Sequence, residues 1–208
     1  MIVNPALEQY IVSLLPARDP VLAEMEAYAF AHRINIIGPG CATILAQLVL
    51  MTGARRIFEL GSAIGYSTIW LARAAGAGAE VHYSDGDPDN AARARGYFER
   101  AGVADRITVH TGDALAALAS TTGEFDMVFN DVDKEGYPSV HAAAPDRVRV
   151  GGVFVTDNTL WKAKVLDPQD EETEGVDRFN RQIFADTRFL TSLIPLRDGM
   201  TLGIKIGL

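Results

Sequence analysis

From Arg56 onward, short apolar runs alternate with helix-length amphipathic segments. The runs Arg56–Leu60, Glu80–Ser84, Ile107–His110, Met127–Asn130 and Val153–Thr156 predict five strands. Between them the spacing predicts helices near Tyr66–Ala75, Pro88–Ala101, Ala114–Ala119 and Tyr137–Val148. Upstream, an Asp-Pro start opens a helix over Pro20–His32, and Pro39–Met51 places Ile44, Leu45, Leu48 and Val49 on one face. Short buried strands separated by helices imply a parallel sheet covered on both faces, an α/β architecture. The end of the chain reads differently. Asp177–Asp186 is helical in pattern, and Phe189–Pro195 and Thr201–Ile206 are strand-like runs joined across Arg197-Asp198-Gly199, where Asp-Gly signals a hairpin. The expectation is a mostly parallel sheet closed by an antiparallel hairpin. In such sheets ligands bind at the carboxyl ends of the strands, so chemistry is sought there.

Composition narrows the picture. A chain of 208 residues, 48% hydrophobic and 22% charged, fits one globular domain over 1–208, with the N-terminal helices of about 5–52 packed on it. The net charge of −8 argues against an extended nucleic-acid footprint. A single cysteine, Cys41, forms no internal disulfide and reads as a small buried residue, which fits a reducing compartment. No basic stretch precedes the first apolar residues, so no signal peptide is expected. The most apolar stretch, Cys41–Met51, falls well short of the ~20 residues that span a bilayer. The expected setting is cytoplasmic, with no membrane partner.

The first strand ends in Glu59-Leu60-Gly61-Ser62-Ala63-Ile64-Gly65-Tyr66-Ser67. Gly61 and Gly65 permit a sharp turn and a close ligand approach. Neither the dinucleotide fingerprint nor the P-loop fits, because Ala63 breaks the first and no Gly-Lys-Ser/Thr follows for the second. An acid at the mouth of this loop suits a cation better than a pyrophosphate. S-adenosylmethionine, with its ammonium and sulfonium, meets that description, and a tight strand–helix turn without ligand also fits. Asp85, at the end of the second strand, is placed to accept from ribose hydroxyls, whereas Asp87 before Pro88 reads as a helix cap. Asp113 is a candidate acceptor for an adenine amino group, and capping of the following helix is an equal and compatible role.

Strand four ends in Asn130-Asp131-Val132-Asp133-Lys134 and strand five in Thr156-Asp157-Asn158. Two carboxylates and a carboxamide on one rim suit Mg²⁺, Ca²⁺ or Mn²⁺, and no histidine or cysteine nearby suggests zinc. Helix capping is the competing account. A hard cation would lower the pKa of a bound hydroxyl and aim it at a methyl donor. Lys134 lies three residues past Asp131, where a neighbouring divalent cation favours its neutral, proton-accepting form; a solvated helix-start lysine is the alternative.

Taken together, Glu-Leu-Gly-x-x-x-Gly-Tyr-Ser, Asp-Gly-Asp-Pro, Gly-Asp-Ala, Phe-Asp-Met-Val-Phe-x-Asp-x-Asp-Lys-x-x-Tyr and Asp-Asn-x-Leu-Trp resemble the cation-dependent O-methyltransferases, the family of catechol and caffeoyl-CoA O-methyltransferases. The resemblance runs from about Asp19 to the C-terminus. It implies a Rossmann-like class I methyltransferase with a seven-stranded sheet of order 3-2-1-4-5-7-6, commonly a homodimer. By position it implies a cofactor site of Glu59, Gly61, Gly65, Ser67, Asp85, Asp113, Ala114 and Asp131. It further implies Asp131, Asp157 and Asn158 as metal ligands and Lys134 as the catalytic lysine. Lys134, Asn158 and Trp161 would face a small aromatic hydroxyl substrate, Trp161 by stacking or as a core anchor.

Two positions depart from the family pattern. Gly40 stands where an acid is usual and Ala42 where glycine is usual, which bears on the floor of the cofactor pocket. Asn130 replaces a commonly apolar residue and is a candidate extra ligand or partner of one. Two other functions fit the same fold: methylation of tRNA, which the acidic charge disfavours, and cofactor binding without catalysis, which the full Asp131, Lys134, Asp157 and Asn158 set disfavours.

Overall fold

The apolar runs become the strands of a single sheet in the structure, a computed structural model describing residues 4–207. Strands β1 (Arg56–Leu60), β2 (Glu80–Asp85), β3 (Ile107–Thr111), β4 (Phe125–Asn130), β5 (Val148–Thr156), β6 (Phe189–Ile194) and β7 (Met200–Lys205) lie in the order β3-β2-β1-β4-β5-β7-β6. The first five pair in parallel, and β7 runs antiparallel to both β5 and β6. This is the seven-stranded order that the resemblance implied. The chain changes direction across the sheet between β1 and β4, which opens a crevice at their carboxyl ends.

Strands β1, β4 and β5 feed two cores because alternate side chains leave opposite faces. Ile57 joins a cluster with Leu22 and Met25 of α2 (Pro20–His32), Leu45 of α3 (Gly38–Thr52), Ile69 of α4 (Tyr66–Ala75) and Phe98 of α5 (Pro88–Arg100). Phe58 joins the opposite cluster, with Leu118 of α6 (Ala114–Ser120), Val140 of α7 (Tyr137–Ala143), and Phe179 and Ile183 of α8 (Glu171–Ala185). Burying each such side chain contributes roughly 1.5–3 kcal/mol. The first helix, α1 (Pro5–Leu14), buries none of its residues. No helix among the described residues is long and apolar enough to cross a membrane.

Three element boundaries differ by several residues from the sequence expectation. The helix expected over Tyr137–Val148 ends at Ala143, because Pro145 has no N–H for the next helical bond and opens a short 3-10 turn, Pro145–Arg147. Strand β5 then starts at Val148, five residues before the expected Val153, with a bulge where Phe125 pairs Val148 and Met127 pairs Val153. Helix α8 starts at Glu171 instead of Asp177, so the acidic stretch Asp170-Glu171-Glu172 supplies the helix start. Asp170 and Thr173 form a reciprocal capping box, and Glu171, Glu172 and Glu174 complement the positive end of the helix dipole.

Candidate active site

A cavity of about 1130 Å³ runs along the carboxyl ends of the strands. One end is walled by Ser62, Ala63, Asp85, Asn90 and Asp113, the other by Asp131, Lys134, Asp157, Asn158, Trp161, Lys162 and Arg197.

The loop after β1 is bound tightly to its neighbours. Gly61 and Ser62 donate backbone N–H groups to Ser84 O at 3.1 and 2.9 Å, and Ala63 N donates to Asp85 Oδ2 at 2.8 Å. Gly61 has φ 79°, and a Cβ there would sit 2.6 Å from the Asp131 carbonyl oxygen, so only glycine lets β1 and β4 close at this point. Gly65 has φ 83°, and its missing Cβ leaves room for the Phe98 ring of α5. Gly65 is thus a packing glycine away from the cavity wall.

Glu59 is likewise kept out of the cavity. It leaves β1 on the α4 side, is fully buried, and accepts from the Ser67 and Thr68 hydroxyls. Burial pushes its carboxyl up to about 7, with the hydroxyl donors opposing. Ser67 does reach the cavity wall. Asp85 lies at the end of β2 as expected. Its Oδ1 accepts from Asp87 N at 2.9 Å and Asn90 Nδ2 at 3.1 Å, which fixes the carboxylate toward the cavity. Asp87 caps α5 through Asp89 N at 2.8 Å, and Asp113 caps α6 through Ala116 N at 2.6 Å. Ala114 opens α6 beside it, in a first turn whose N–H groups lack intrahelical acceptors.

At the other end, the ladder continues one residue beyond the strands. Asp131 N donates to Leu60 O at 2.8 Å and Asp157 N to Asn130 O at 3.1 Å, which sets the two aspartates on adjacent strand ends. Asp157 is buried and its Oδ1 has no partner among the described residues, while Asn158 Nδ2 reaches Oδ2 at 3.4 Å. Burial, then the charge of Asp131, raises the Asp157 carboxyl to about 7, and burial also raises Asp131 against the pull of Lys134. A crowded carboxylate pair with an unpartnered oxygen fits a divalent cation. Among the described residues no three His, Cys, Asp or Glu side chains gather, so what the rim could offer a cation is two carboxylates and the Asn158 carboxamide, hard oxygen donors. Asn130 is fully buried behind them, with its Oδ1 3.4 Å from Val132 N and its Nδ2 unpartnered.

Lys134 begins the 3-10 turn after β4, and its Nζ donates to Asp131 Oδ1 and Val132 O, each at 3.1 Å. The same ammonium lies 5.3 Å from the Trp161 ring centroid, so Trp161 walls the space above it. Gly175 of α8 makes this packing possible, since a Cβ there would lie 2.6 Å from the Lys134 carbonyl oxygen.

Two wall residues, Tyr66 and Arg197, were assigned no role at the site by the sequence. Tyr66 donates to Glu26 Oε1 at 2.7 Å, joining α4 to α2 at the cavity wall. Arg197, on the β6–β7 turn, donates to the Ile36 and Ile37 carbonyls and pairs with Glu8 at 3.2 Å. A charged residue in a hairpin turn ordinarily reads as solvated, and only the tertiary fold brings this one inward. The departures at Gly40 and Ala42 lie off the cavity wall: a Cβ on Gly40 would make ordinary contact with Leu196, and Ala42 is in the core. Cys41 is buried beside them, its thiol pushed far above the usual range by burial, as expected of a core residue.

The sheet order and the strand-end cleft are those of the class I, S-adenosylmethionine-dependent O-methyltransferase fold. The chain belongs to the O-methyltransferase family, whose model matches residues 17–206. It is 33% identical to a catechol O-methyltransferase of Niastella koreensis, over 96% of each chain. It is 30% identical to a caffeoyl-CoA O-methyltransferase of Eucalyptus gunnii, over 99% of this chain and 89% of that one. Among solved structures, the O-methyltransferase TomG of Streptomyces achromogenes, in complex with SAM, superposes with a TM-score of 0.89 at 30% identity, over 97% of this chain and 96% of that one.

Proposed function

We propose that this enzyme transfers the methyl group of S-adenosylmethionine to a hydroxyl oxygen of a small catechol-like or phenolic acceptor, with the help of a divalent cation, Mg²⁺ for preference. The observation that carries this reading is the pairing of half-buried Asp131 with buried Asp157 and with Asn158, set beside Lys134 on the wall of the cavity. The donor fits the other end. Asp85 takes the ribose hydroxyls, the Asp113–Ala114 corner takes the adenine edge, and the Gly61–Ala63 loop lies along the methionine end.

Asp131, Asp157 and Asn158 would hold the cation, which when bound supplies Lewis acidity toward the acceptor hydroxyl. Lys134, as the neutral amine, takes the proton from that hydroxyl on Nζ as the hydroxyl oxygen attacks the methyl carbon. The carbon–sulfur bond breaks, its electrons stay on sulfur, and the products are the methyl ether and S-adenosylhomocysteine. Trp161 flanks the aromatic ring and limits its tilt, which keeps the oxygen in line with the methyl group.

With 1,2-dihydroxybenzene and labelled S-adenosylmethionine, EDTA is expected to abolish methylation and Mg²⁺ to restore it. Asp157→Ala is expected to lower turnover by at least about 100-fold while cofactor affinity stays within a few-fold. Full turnover in chelator, or wild-type turnover of Asp157→Ala, would sink the metal-assisted reading.

A further inference from the structure

Resting on that reading, we propose that Lys162 is a specificity residue that selects acceptors carrying a carboxylate on the side of the ring away from the methylated hydroxyl. Three cationic side chains line the acceptor end of the cavity. Lys134 is engaged by Asp131 and the Val132 carbonyl, and Arg197 by Glu8 and the Ile36 and Ile37 carbonyls. Lys162 has no carboxylate or carbonyl partner among the described residues, and its ammonium lies 5.2 Å from the Trp161 ring centroid. The same indole lies 5.3 Å from Lys134 Nζ. Both ammonium groups therefore lie against one indole, a lining suited to a single substituted benzene ring.

The backbone holds Lys162 there at a cost. Trp161, Lys162 and Ala163 have φ of 39°, 56° and 65°, three successive left-handed residues, none of them glycine. Such a turn persists only where surrounding contacts over-determine it. Here Leu160 N and Trp161 N donate to Asp198 O at 2.7 and 3.2 Å, and Asn180 Nδ2 donates to Thr159 O at 2.7 Å. Lys162 is thus presented by the fold and does not merely trail from a loose loop. The remaining wall near the candidate cation site is acidic, with Asp131, Asp133, Glu135 and Asp157. An anionic substituent is repelled from that side and attracted to Lys162, so one charge sets which end of the acceptor enters first.

The test is calorimetric binding of 3,4-dihydroxybenzoate and of its methyl ester, a neutral analogue of similar shape. Both are titrated into enzyme saturated with S-adenosylhomocysteine and Mg²⁺, using wild type, Lys162→Met and Lys162→Arg. Wild type is expected to bind the acid about tenfold more tightly than the ester. Lys162→Met should bring the acid to the level of the ester and leave the ester within about twofold, and Lys162→Arg should restore the preference. Equal binding of acid and ester by wild type, or equal weakening of both by Lys162→Met, overturns the proposal. So does failure of the acid to bind. Methylation is followed separately: a carboxylate preference in binding with neither compound methylated refutes the proposed reaction and leaves the Lys162 subsite standing.

Discussion

Glu59 points from β1 toward α4, where the Ser67 and Thr68 hydroxyls donate to its carboxylate. Its position in the motif suggested a hand on the cofactor, yet whether a strand-end side chain meets ligand or helix depends on which face it leaves, and adjacent residues leave opposite faces. That choice was not legible at Glu59, whereas Asp85, Asp131 and Asp157 reach the rim from strand ends. The burial of Glu59 has a consequence for pH. Its carboxyl sits at about 7, above the ordinary value of 4.5, so its share of stability is fully present below about pH 4.5 and is lost as pH rises through 7. At full ionisation the cost is on the order of 3 kcal/mol. Glu59→Gln removes the ionisable group and keeps an acceptor for one hydroxyl. Its Tm relative to wild type is expected to climb between pH 6 and pH 9, with cofactor affinity changed less than by Asp85→Ala. A Tm difference that stays flat over that range would show that Glu59 does not titrate there.

At the scale of elements, the proposed catalytic geometry rests on how closely α8 approaches the 3-10 turn that starts at Lys134. Gly175 sits at the contact, 2.6 Å in Cβ terms from the Lys134 carbonyl oxygen and 3.2 Å from Glu135 Cα. Both are backbone atoms and cannot swing aside, so Gly175→Ala has to move either the helix or the turn. The expected result is a loss of about 1–3 kcal/mol in stability and a fall in kcat of at least about tenfold, with cofactor Kd little altered. Wild-type kcat in a folded Gly175→Ala protein would mean that the position of Lys134 does not depend on α8. Sequence pattern could not reveal this contact. The expected α8 began at Asp177, after Gly175, because a run of acids reads as a solvated loop until its capping box is seen to close. The N-terminal helix starts and the hairpin were legible, since Asp19-Pro20 and Asp198-Gly199 act through local backbone geometry. Boundaries set by tertiary fit, such as the early start of β5 at Val148, were not.

Across the whole molecule, the parallel core was readable because strands buried on both faces leave long apolar runs, and the strand-end rule then localised the site. The cavity wall contributed by α2, the Ile36–Ile37 segment and the β6–β7 turn was not readable, because long-range packing brings it in. The same global view sets the limits of stability against pH. The alkaline side is governed in part by Glu59, and the acid side by a chain of hydrogen bonds on β2 and β3, remote from the cavity. His82 Nδ1 and His110 Nε2 lie 2.9 Å apart, and His82 Nε2 lies 2.7 Å from Glu80 Oε1. Both rings stack on Phe58. Burial lowers both imidazoles, Glu80 opposing the effect at His82 and the charge of His82 adding to it at His110. Folded values below the ordinary 6.5 mean that the unfolded chain takes up protons first, so stability is present above pH 6.5 and is lost as pH falls through the lowered values. Phenylalanine at position 82 keeps the stack on Phe58 and cannot charge. The Tm of His82→Phe relative to wild type should therefore rise as pH is lowered from 7.5 to 5, the opposite trend to that of Glu59→Gln. Parallel Tm curves for wild type and His82→Phe over that interval would show that the acid limit is set elsewhere, by carboxylates such as Asp126 and Asp186 that their arginine partners hold below the ordinary range against the cost of burial.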